Sequence, residues 1–309
     1  MKQKNEYEMK KNENIRVGIV RMEGDVAPFV QVEYMDRNAQ EHSGLMLLDS
    51  GSTINILAPE MANDIGTLNN MDEHVIVLSI AKGEVNARQA NFSFVFGGTQ
   101  FRETFCISDN PLPIKINGMR VLGLLGNNFL SKHRLAIDYC DYTLHTSNVS
   151  PDNLSISDCS FFFPMEMGLK FYGLPVLSVK QNGKELVTLV DTGATNNMIA
   201  GQSLTENAFK HKLLEDKDVI VNVTGEVEVN EARVWFNVMS LDGDDICEIS
   251  HRARFKVLPY NIWTQSEVSC DEKENQLPPI EILLGSPFIA NEGWTLDFGA
   301  GIIYKKKIA

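Results

Sequence analysis

An internal repeat limits the folds that this chain can adopt. The stretch Leu45-Met46-Leu47-Leu48-Asp49-Ser50-Gly51-Ser52 returns 142 residues later as Val187-Thr188-Leu189-Val190-Asp191-Thr192-Gly193-Ala194. The same offset carries Gly83-Glu84-Val85 onto Gly225-Glu226-Val227. Similarity at a fixed offset is typical of a duplicated structural unit. The sequence therefore predicts two similar halves.

The repeat continues with a longer offset. Leu124-Leu125-Gly126 matches Leu283-Leu284-Gly285, 159 residues further on, so the second half contains 17 additional residues. The polar stretch 265–279, which ends in two prolines, is the expected place for them. The predicted organisation is a disordered tail over 1–14, a first lobe over 15–145, a linker over 146–158 and a second lobe over 159–309.

Strands are predicted to dominate both halves. Runs rich in β-branched and aromatic residues meet at a Gly-Glu turn in each half and predict two long hairpins, over 75–96 and 219–238. Short helices are expected after Gly126 and Gly285. The second helix has the clearer start, because Ser286 suits an N-cap and Pro287 the first helical position.

Charge narrows the range of partners. The chain has 309 residues and a formal net charge of −13, which repels phosphate backbones and anionic lipid surfaces. No apolar run reaches the roughly 20 residues that cross a bilayer, and the N-terminus does not resemble a secretory signal. We therefore expect a soluble cytoplasmic protein that binds neither nucleic acid nor membranes.

Metal and disulfide sites are not expected. The chain has five cysteines, an odd number without a CxxC pair, and its six histidines are isolated in the sequence. A structural zinc site needs four convergent ligands, and a disulfide framework needs paired cysteines. No metal or organic cofactor is predicted.

The two aspartates that end the apolar runs carry the predicted chemistry. A carboxylate at the end of a buried strand is costly without a partner, and the obvious partner for Asp49 is Asp191. Two adjacent carboxylates cannot both ionise easily, so the pair shares a proton and can act on a water molecule as general acid and base. Gly51 and Gly193 would allow the tight turns that bring amides close to the carboxylates. Ser52 could donate to its carboxylate, whereas Ala194 cannot, which predicts two chemically unequal halves.

These motifs resemble those of the retropepsin-like aspartic peptidases. The resemblance rests on Asp49-Ser50-Gly51-Ser52 and Asp191-Thr192-Gly193-Ala194, together with the apolar-apolar-Gly segments that end at Gly126 and Gly285. It implies an all-β fold of two pseudo-symmetric acid-protease β-barrel lobes in one chain, with short helices and a cleft between the lobes. It also implies that Ser50 and Thr192 reach across the pseudo-two-fold axis to the opposite loop. Since one chain contains both halves, a monomer would suffice.

The hairpin tips occupy the positions of the flaps in that family. They are Lys82-Gly83-Glu84 and Thr224-Gly225-Glu226, which lack both the tyrosine of a pepsin flap and the multiple glycines of many retropepsin flaps. A glycine at a hairpin tip is compatible with a lid over substrate, although ordinary surface hairpins are an alternative. If both hairpins close, their glutamates would disfavour acidic substrates in the cleft.

The sequence favours an aspartic endopeptidase that acts on an extended peptide or protein segment through Asp49 and Asp191. A catalytically silent peptide-binding module or an assembly module remains an alternative. The other symmetric carboxylates, Asp138 and Asp297, follow the predicted helices and are expected to make structural hydrogen bonds.

Overall fold

The computed structural model describes residues 15–21, 26–65, 74–79, 83–108, 115–116, 118–147, 158–165, 173–222, 225–242, 245–259 and 280–307. The predicted tail over 1–14 and the predicted insertion over 265–279 lie outside these ranges, as does most of the predicted linker.

The first half contains eleven strands and two helices within the described residues. The strands are β1 (Arg16–Gly18), β2 (Phe29–Met35), β3 (Glu41–Asp49), β4 (Ile56–Leu57), β5 (His74–Ser79), β6 (Gly83–Phe96), β7 (Thr99–Ser108), β8 (Lys115–Ile116), β9 (Met119–Gly126), β10 (Leu135–Asp138) and β11 (Thr143–Thr146). The helices are α1 (Met61–Asp64) and α2 (Asn127–Lys132).

The second half repeats this order with ten strands and two helices in the part of the chain that the structure describes. The strands are β12 (Cys159–Pro164), β13 (Val176–Gln181), β14 (Lys184–Asp191), β15 (Met198–Ala200), β16 (Lys210–Asn222), β17 (Gly225–Asp242), β18 (Asp245–Leu258), β19 (Ile280–Gly285), β20 (Thr295–Asp297) and β21 (Ile302–Lys306). The helices are α3 (Gly201–Glu206) and α4 (Ser286–Glu292).

Each half closes into a six-stranded barrel. In the first barrel the strand order is β2-β3-β9-β4-β7-β6, and a pairing between β2 and β6 closes it. In the second barrel the order is β13-β14-β19-β15-β18-β17, closed between β13 and β17. The structure confirms the predicted all-β, two-lobed fold with short helices.

The barrels close around apolar side chains that alternate along their long strands. In β6 the buried residues include Phe92, Phe94 and Phe96, and in β17 they include Val234 and Phe236. Period-two alternation places one face of each strand in the core and leaves the other toward solvent. The duplicated pattern thus produces the same barrel twice.

A third sheet joins the two halves, in the order β1-β11-β10-β20-β21-β12. Strands β10 and β20, one from each half, pair directly, with Ala136 opposite Asp297. Beneath this sheet, Trp294 stacks on Phe161 with ring centroids 4.4 Å apart. The sheet and its core fix the two barrels relative to each other, and therefore fix the loops that face one another between them.

The start of α4 differs from the prediction. Gly285 is the N-cap, so Ser286 is the first helical residue and Pro287 the second. No side-chain hydrogen bond caps this helix end, because the N-cap residue is a glycine. The Ser286 hydroxyl donates to the carbonyl oxygen of Thr192. The structure therefore corrects the N-cap assignment of Ser286 and uses that residue in the site described next.

Candidate active site

The two aspartates lie where a parallel strand pair ends in each barrel. Asp49 ends β3 opposite Gly126 of β9, and Asp191 ends β14 opposite Gly285 of β19. The strands leading to them are buried; Leu48 and Val190, for example, have no exposed surface. The two aspartates themselves are largely buried and keep a small exposed surface. A packed strand therefore delivers each aspartate to the interface between the barrels.

The structure brings the two carboxyls together. Asp49 and Asp191 are hydrogen-bonded to each other through their side chains. The amides of Gly51 and Ser52 donate to Asp49 Oδ1 at 2.9 and 3.1 Å. In the other loop the amides of residues 193 and 194 donate to Asp191 Oδ1 at the same two distances. The backbone thus holds both carboxyls in equivalent orientations.

The glycines of the two loops contact the opposite carboxyl. A Cβ added to Gly51 would lie 2.4 Å from Asp191 Cγ, and one added to Gly193 would lie 2.5 Å from Asp49 Cγ. Neither glycine has a positive φ. Glycine is needed here because the two loops approach closely across the axis, rather than because the turn requires a left-handed backbone. The amides of these turns do approach the carboxyls, as the sequence predicted, but the need for glycine comes from the opposite carboxyl.

Both carboxyls have a raised pKa. Removal from water is the main cause of the increase in the pKa of Asp49, and the charge of Asp191 raises it further. Burial also raises the pKa of Asp191, while hydrogen bonds from Asp49 and from nearby amides oppose that increase. Because the carboxyls are in contact, they titrate as a pair. The arrangement favours a pair that holds one proton over a pair that has lost both.

Four hydrogen bonds between Ser50 and Thr192 and the opposite strands lock the loops across the axis. The Ser50 hydroxyl donates to the carbonyl of Val190 at 2.7 Å, and the Thr192 hydroxyl donates to the carbonyl of Leu48 at 2.7 Å. Each hydroxyl also accepts the backbone amide of the other residue, at 2.9 and 3.0 Å. Both side chains are fully buried. The two halves of the site are therefore held together by buried, satisfied hydrogen bonds.

Ser52 does not play the part predicted from the sequence. Its hydroxyl donates to the carbonyl of Ile54 at 2.7 Å, within its own turn. A hydroxyl has one proton to donate, and this turn places that carbonyl nearest to it. The prediction that the Ser52 hydroxyl donates to Asp49 and favours its ionisation was wrong. Only the backbone amide of Ser52 donates to Asp49, and the amide of Ala194 makes the same contact with Asp191.

Two asparagines that sequence reasoning missed support the site. Asn55 Oδ1 accepts the amide of Gly126 at 3.0 Å, and Asn197 Oδ1 accepts the amide of Gly285 at 2.9 Å. Their amide groups donate to the carbonyls of Thr104 and residue 254. The two asparagines are 142 residues apart and identical in the repeat, which is the pattern that could have identified them.

Gly126 and Gly285 lie beneath the active-site loops. A Cβ on Gly126 would be 2.3 Å from the carbonyl oxygen of Ile54, and one on Gly285 would be 2.6 Å from that of Asn196. The apolar-apolar-Gly segments therefore end in glycine because the backbone of the aspartate loop passes directly over them. These contacts support the loops and lie outside the carboxyl pair.

Ser286 adds a link on one side only. Its hydroxyl donates to the carbonyl of Thr192 and lies 3.0 Å from the hydroxyl of Tyr139, which belongs to the other half. Asn127 occupies the corresponding position in the first half, and its side-chain amide donates to the carbonyl of Gly173 instead. The two halves therefore differ beneath the aspartates, although they match at the carboxyls.

The predicted flap residues are only partly described. Gly83 and Glu84 begin β6, with Gly83 opposite Ser79, and Gly225 and Glu226 begin β17. Both segments are hairpins, as predicted. Lys82, Thr224 and the side chains of the two glutamates lie outside the described part of the structure, so the flap role of these six residues stays a prediction.

The remaining symmetric carboxylates make structural hydrogen bonds, as predicted. Asp138 Oδ1 accepts the amides of Cys140 and Asp141 at 2.8 and 3.1 Å. Asp297 is fully buried and accepts the hydroxyl of Ser147 and the amide of Ala300, each at 2.8 Å. Neither belongs to the carboxyl pair at the barrel interface.

Other site types are not found among the described residues. No group of three or more histidine, cysteine, aspartate or glutamate side chains within the described ranges could hold a metal ion. The helices that the structure describes are all too short or too polar to span a membrane.

Comparison with known proteins identifies the fold. No protein-family model matches the sequence, and no curated protein matches it. Among solved structures, an aspartic proteinase from Irpex lacteus superposes with a TM-score of 0.53 at 10% identity, covering 96% of this chain and 98% of that one. Conglutin gamma, a basic 7S globulin from lupine seeds, gives a TM-score of 0.47 at 11% identity, with 97% and 96% covered. The chain thus has a two-lobed fold similar to that of an aspartic proteinase, over almost its whole length.

Proposed function

We propose that this chain is an aspartic endopeptidase related to the retropepsins, and that Asp49 and Asp191 hydrolyse peptide bonds by activating a water molecule. The observation that carries the proposal is the contact between the two carboxyls. They come from two equivalent loops, hydrogen-bond to each other and have raised pKa values. Such a pair is suited to share one proton and act as acid and base together.

The proposed reaction needs no covalent intermediate. The ionised carboxyl takes a proton from water as the water oxygen bonds to the peptide carbonyl carbon, and the protonated carboxyl donates to the carbonyl oxygen. The C–N bond of the tetrahedral intermediate then breaks as the carboxyl that took the water proton donates it to the leaving nitrogen. The other carboxyl, now ionised, takes the proton of one hydroxyl of the intermediate, so that a carboxylic acid and an amine leave and the pair again holds one proton. The proposal assigns neither role to a particular aspartate, because the two carboxyls titrate as a pair.

The surrounding residues would preorganise this chemistry. Ser50 and Thr192 tie the loops to each other, while Gly51 and Gly193 leave room for the opposite carboxyl. A pair held by rigid, packed strands needs little rearrangement during reaction. In the proposal, the two hairpins border a cleft in which an extended substrate can hydrogen-bond with backbone groups.

The direct test is turnover of a mixed peptide library at several pH values between about pH 3 and 8, because the working pH depends on the pair. Cleavage is read by mass spectrometry for the parent chain and for Asp49→Asn and Asp191→Asn. Loss of the acid-base pair should lower the rate by about 10²- to 10⁴-fold. Asp138→Asn is the matched control, since this symmetric carboxylate serves only a turn.

The outcomes separate the alternatives. Cleavage by the parent and by the Asp138→Asn protein, with loss of cleavage in both Asp49→Asn and Asp191→Asn, supports the proposal. Peptide binding without cleavage at any pH would overturn it in favour of a silent binding module. If the activity of the parent is retained in both Asp49→Asn and Asp191→Asn, the reaction does not depend on the aspartate pair and the proposal is wrong.

A further inference from the structure

A block of cations lies on the outer face of the seven-stranded sheet that forms the second barrel, on an otherwise acidic protein. It lies on three adjacent strands, β16, β17 and β18, and surrounds one aromatic side chain. We call it the cationic face; its residues are Lys210, Lys212, Arg233, Trp235, Arg252 and Arg254.

Strand register puts these six side chains on one face. Lys212 lies opposite Arg233, which lies opposite Arg254 on the next strand. Lys210, Trp235 and Arg252 form the adjacent row in the same way. The residues between them in β17, such as Val234, point into the core. The result is two rows of three residues that face away from the core.

The positive charge of this face is largely unbalanced. Arg254 lies 4.0 Å from Glu231, and the ammonium group of Lys210 lies 5.2 Å from the ring centre of Trp235. No acidic side chain with a described position forms an ion pair with Lys212, Arg233 or Arg252. Like charges directly opposite each other in a sheet are destabilising. The face thus has an energetic cost that the fold itself does not explain.

The first half shows that the barrel does not require these charges. The pair equivalent to Arg233 and Arg254 is Asn91 and Thr104, which are opposite each other and joined by a 3.2 Å hydrogen bond. Ser93 and Arg102 correspond to Trp235 and Arg252. At these four positions the first barrel thus has one arginine, Arg102, beside a neutral hydrogen-bonded pair, whereas the second has three arginines around Trp235.

We propose that the cationic face is a docking surface for a short acidic segment of a polypeptide. Side chains two residues apart on one strand are about 6.7 Å apart, and extended peptides repeat their side chains with the same period. An extended segment with acidic residues at alternate positions can therefore place successive carboxylates over both rows. Arginine favours such sites because its guanidinium can bind a carboxylate through two hydrogen bonds.

The boundaries of the face favour a short acidic peptide over nucleic acid. Along the strands the face ends near Glu231 on one side and near Glu248 on the other, and Glu248 pairs with Lys180. A nucleic-acid backbone that continued past the two rows would place phosphates over these carboxylates, on a protein of net charge −13. A segment with a few acidic residues ends before reaching them.

The test is peptide binding by the full chain carrying Asp191→Asn, so that cleavage cannot consume the probe. The probe is a fluorescent octapeptide of alternating glutamate and serine, and its affinity is measured by anisotropy at low and moderate salt. Arg233→Gln with Arg254→Gln should weaken binding at least tenfold. Arg102→Gln, at the equivalent of Arg252 in the first half, should leave it within twofold.

The same variants separate docking from a folding defect and from the peptidase proposal. Replacing two facing arginines should raise the unfolding temperature, because it removes like-charge repulsion. In a chain with intact aspartates, hydrolysis of short uncharged peptides should not change. Three results would each overturn the inference: no binding of the acidic peptide, equal weakening of binding by Arg102→Gln, or tighter binding of an oligothymidylate of similar length. None of these results depends on whether the chain is a peptidase.

Discussion

Ser50 and Thr192 exchange hydrogen bonds across the pseudo-two-fold axis, each hydroxyl accepting the other residue's amide while donating to the opposite strand. This reciprocal contact connects two loops that are 142 residues apart in sequence. The position of one aspartate relative to the other therefore depends on a buried polar network.

Ser50→Ala should separate the loops. It removes a donor and an acceptor and leaves the Thr192 amide and the Val190 carbonyl unpaired in a buried place. We expect a loss of about 2–4 kcal/mol in the free energy of unfolding and a lower kcat for peptide hydrolysis. Urea unfolding and peptide turnover measure the two effects. Ser52→Ala is the control, because its hydroxyl bonds only within its own turn, and an unchanged Ser50→Ala protein would contradict the role of the network.

Gly51→Ala should displace the opposite carboxyl. The new methyl group would lie 2.4 Å from Asp191 Cγ, while two amides hold that carboxyl in place. A displacement of about 1 Å in a catalytic group can cost roughly 10²-fold in rate. We expect at least that loss in kcat/KM. Gly18→Ala, which has no atom within 4 Å of the added Cβ, should behave like the parent; equal activity of both variants would disprove the close approach.

Stability should depend on pH through the aspartate pair. Burial raises the pKa of both carboxyls, so the folded protein keeps a proton that the unfolded chain loses near pH 4. The stability they contribute is complete below that pH and is lost as pH rises through the folded pKa values. Asp191→Asn should therefore stabilise the protein more at pH 7 than at pH 4, as measured by urea unfolding.

Asp36→Asn should show the opposite dependence of stability on pH. Hydrogen bonds, first from the amide of Gln40, lower the pKa of Asp36. Its stabilising contribution is therefore present above the ordinary aspartate pKa and is lost in acid. This variant should be less stable than the parent at pH 7, with a smaller difference at low pH. A pH-independent effect of Asp191→Asn would show that the pair does not share a proton.

Much of the fold and the carboxyl pair could be predicted from the sequence because the repeat constrains them. Two buried strands that each end in aspartate require a partner for each charge, and the offset identifies that partner. The direction of the Ser52 hydroxyl could not be predicted, since it depends on which carbonyl the turn brings nearest. The roles of Asn55 and Asn197 could not be predicted, because an asparagine near a turn usually hydrogen-bonds within that turn. The cationic face required strand register, which places Lys212, Arg233 and Arg254 side by side although they are distant in sequence.

Lys256 stabilises the second hairpin but has no counterpart in the first, so its substitution should affect the two hairpins differently. It is 7% exposed, and its ammonium group bonds with Asp218 of β16 and Glu231 of β17. Burial opposes its charge, but these hydrogen bonds outweigh it and raise the pKa of Lys256. Its backbone amide donates to the carbonyl of Asn197 at 2.9 Å. Lys256 thus links the base of the hairpin to the loop that follows Asp191.

Lys256→Met should loosen this hairpin and leave Glu231 in a largely buried place without its cation. A broken buried ion pair costs roughly 3 kcal/mol, so we expect lower stability, faster hydrogen exchange over β16 and β17, and a higher KM. Lys217→Met is the matched control in the same hairpin, since Lys217 pairs with Glu228 where both side chains are 64% exposed and such pairs contribute little. Cys106 and Gln89 occupy the positions of Lys256 and Glu231 in the first half, so exchange in β5 and β6 should not change. Equal loosening of both hairpins would show that Lys256 acts on the whole fold.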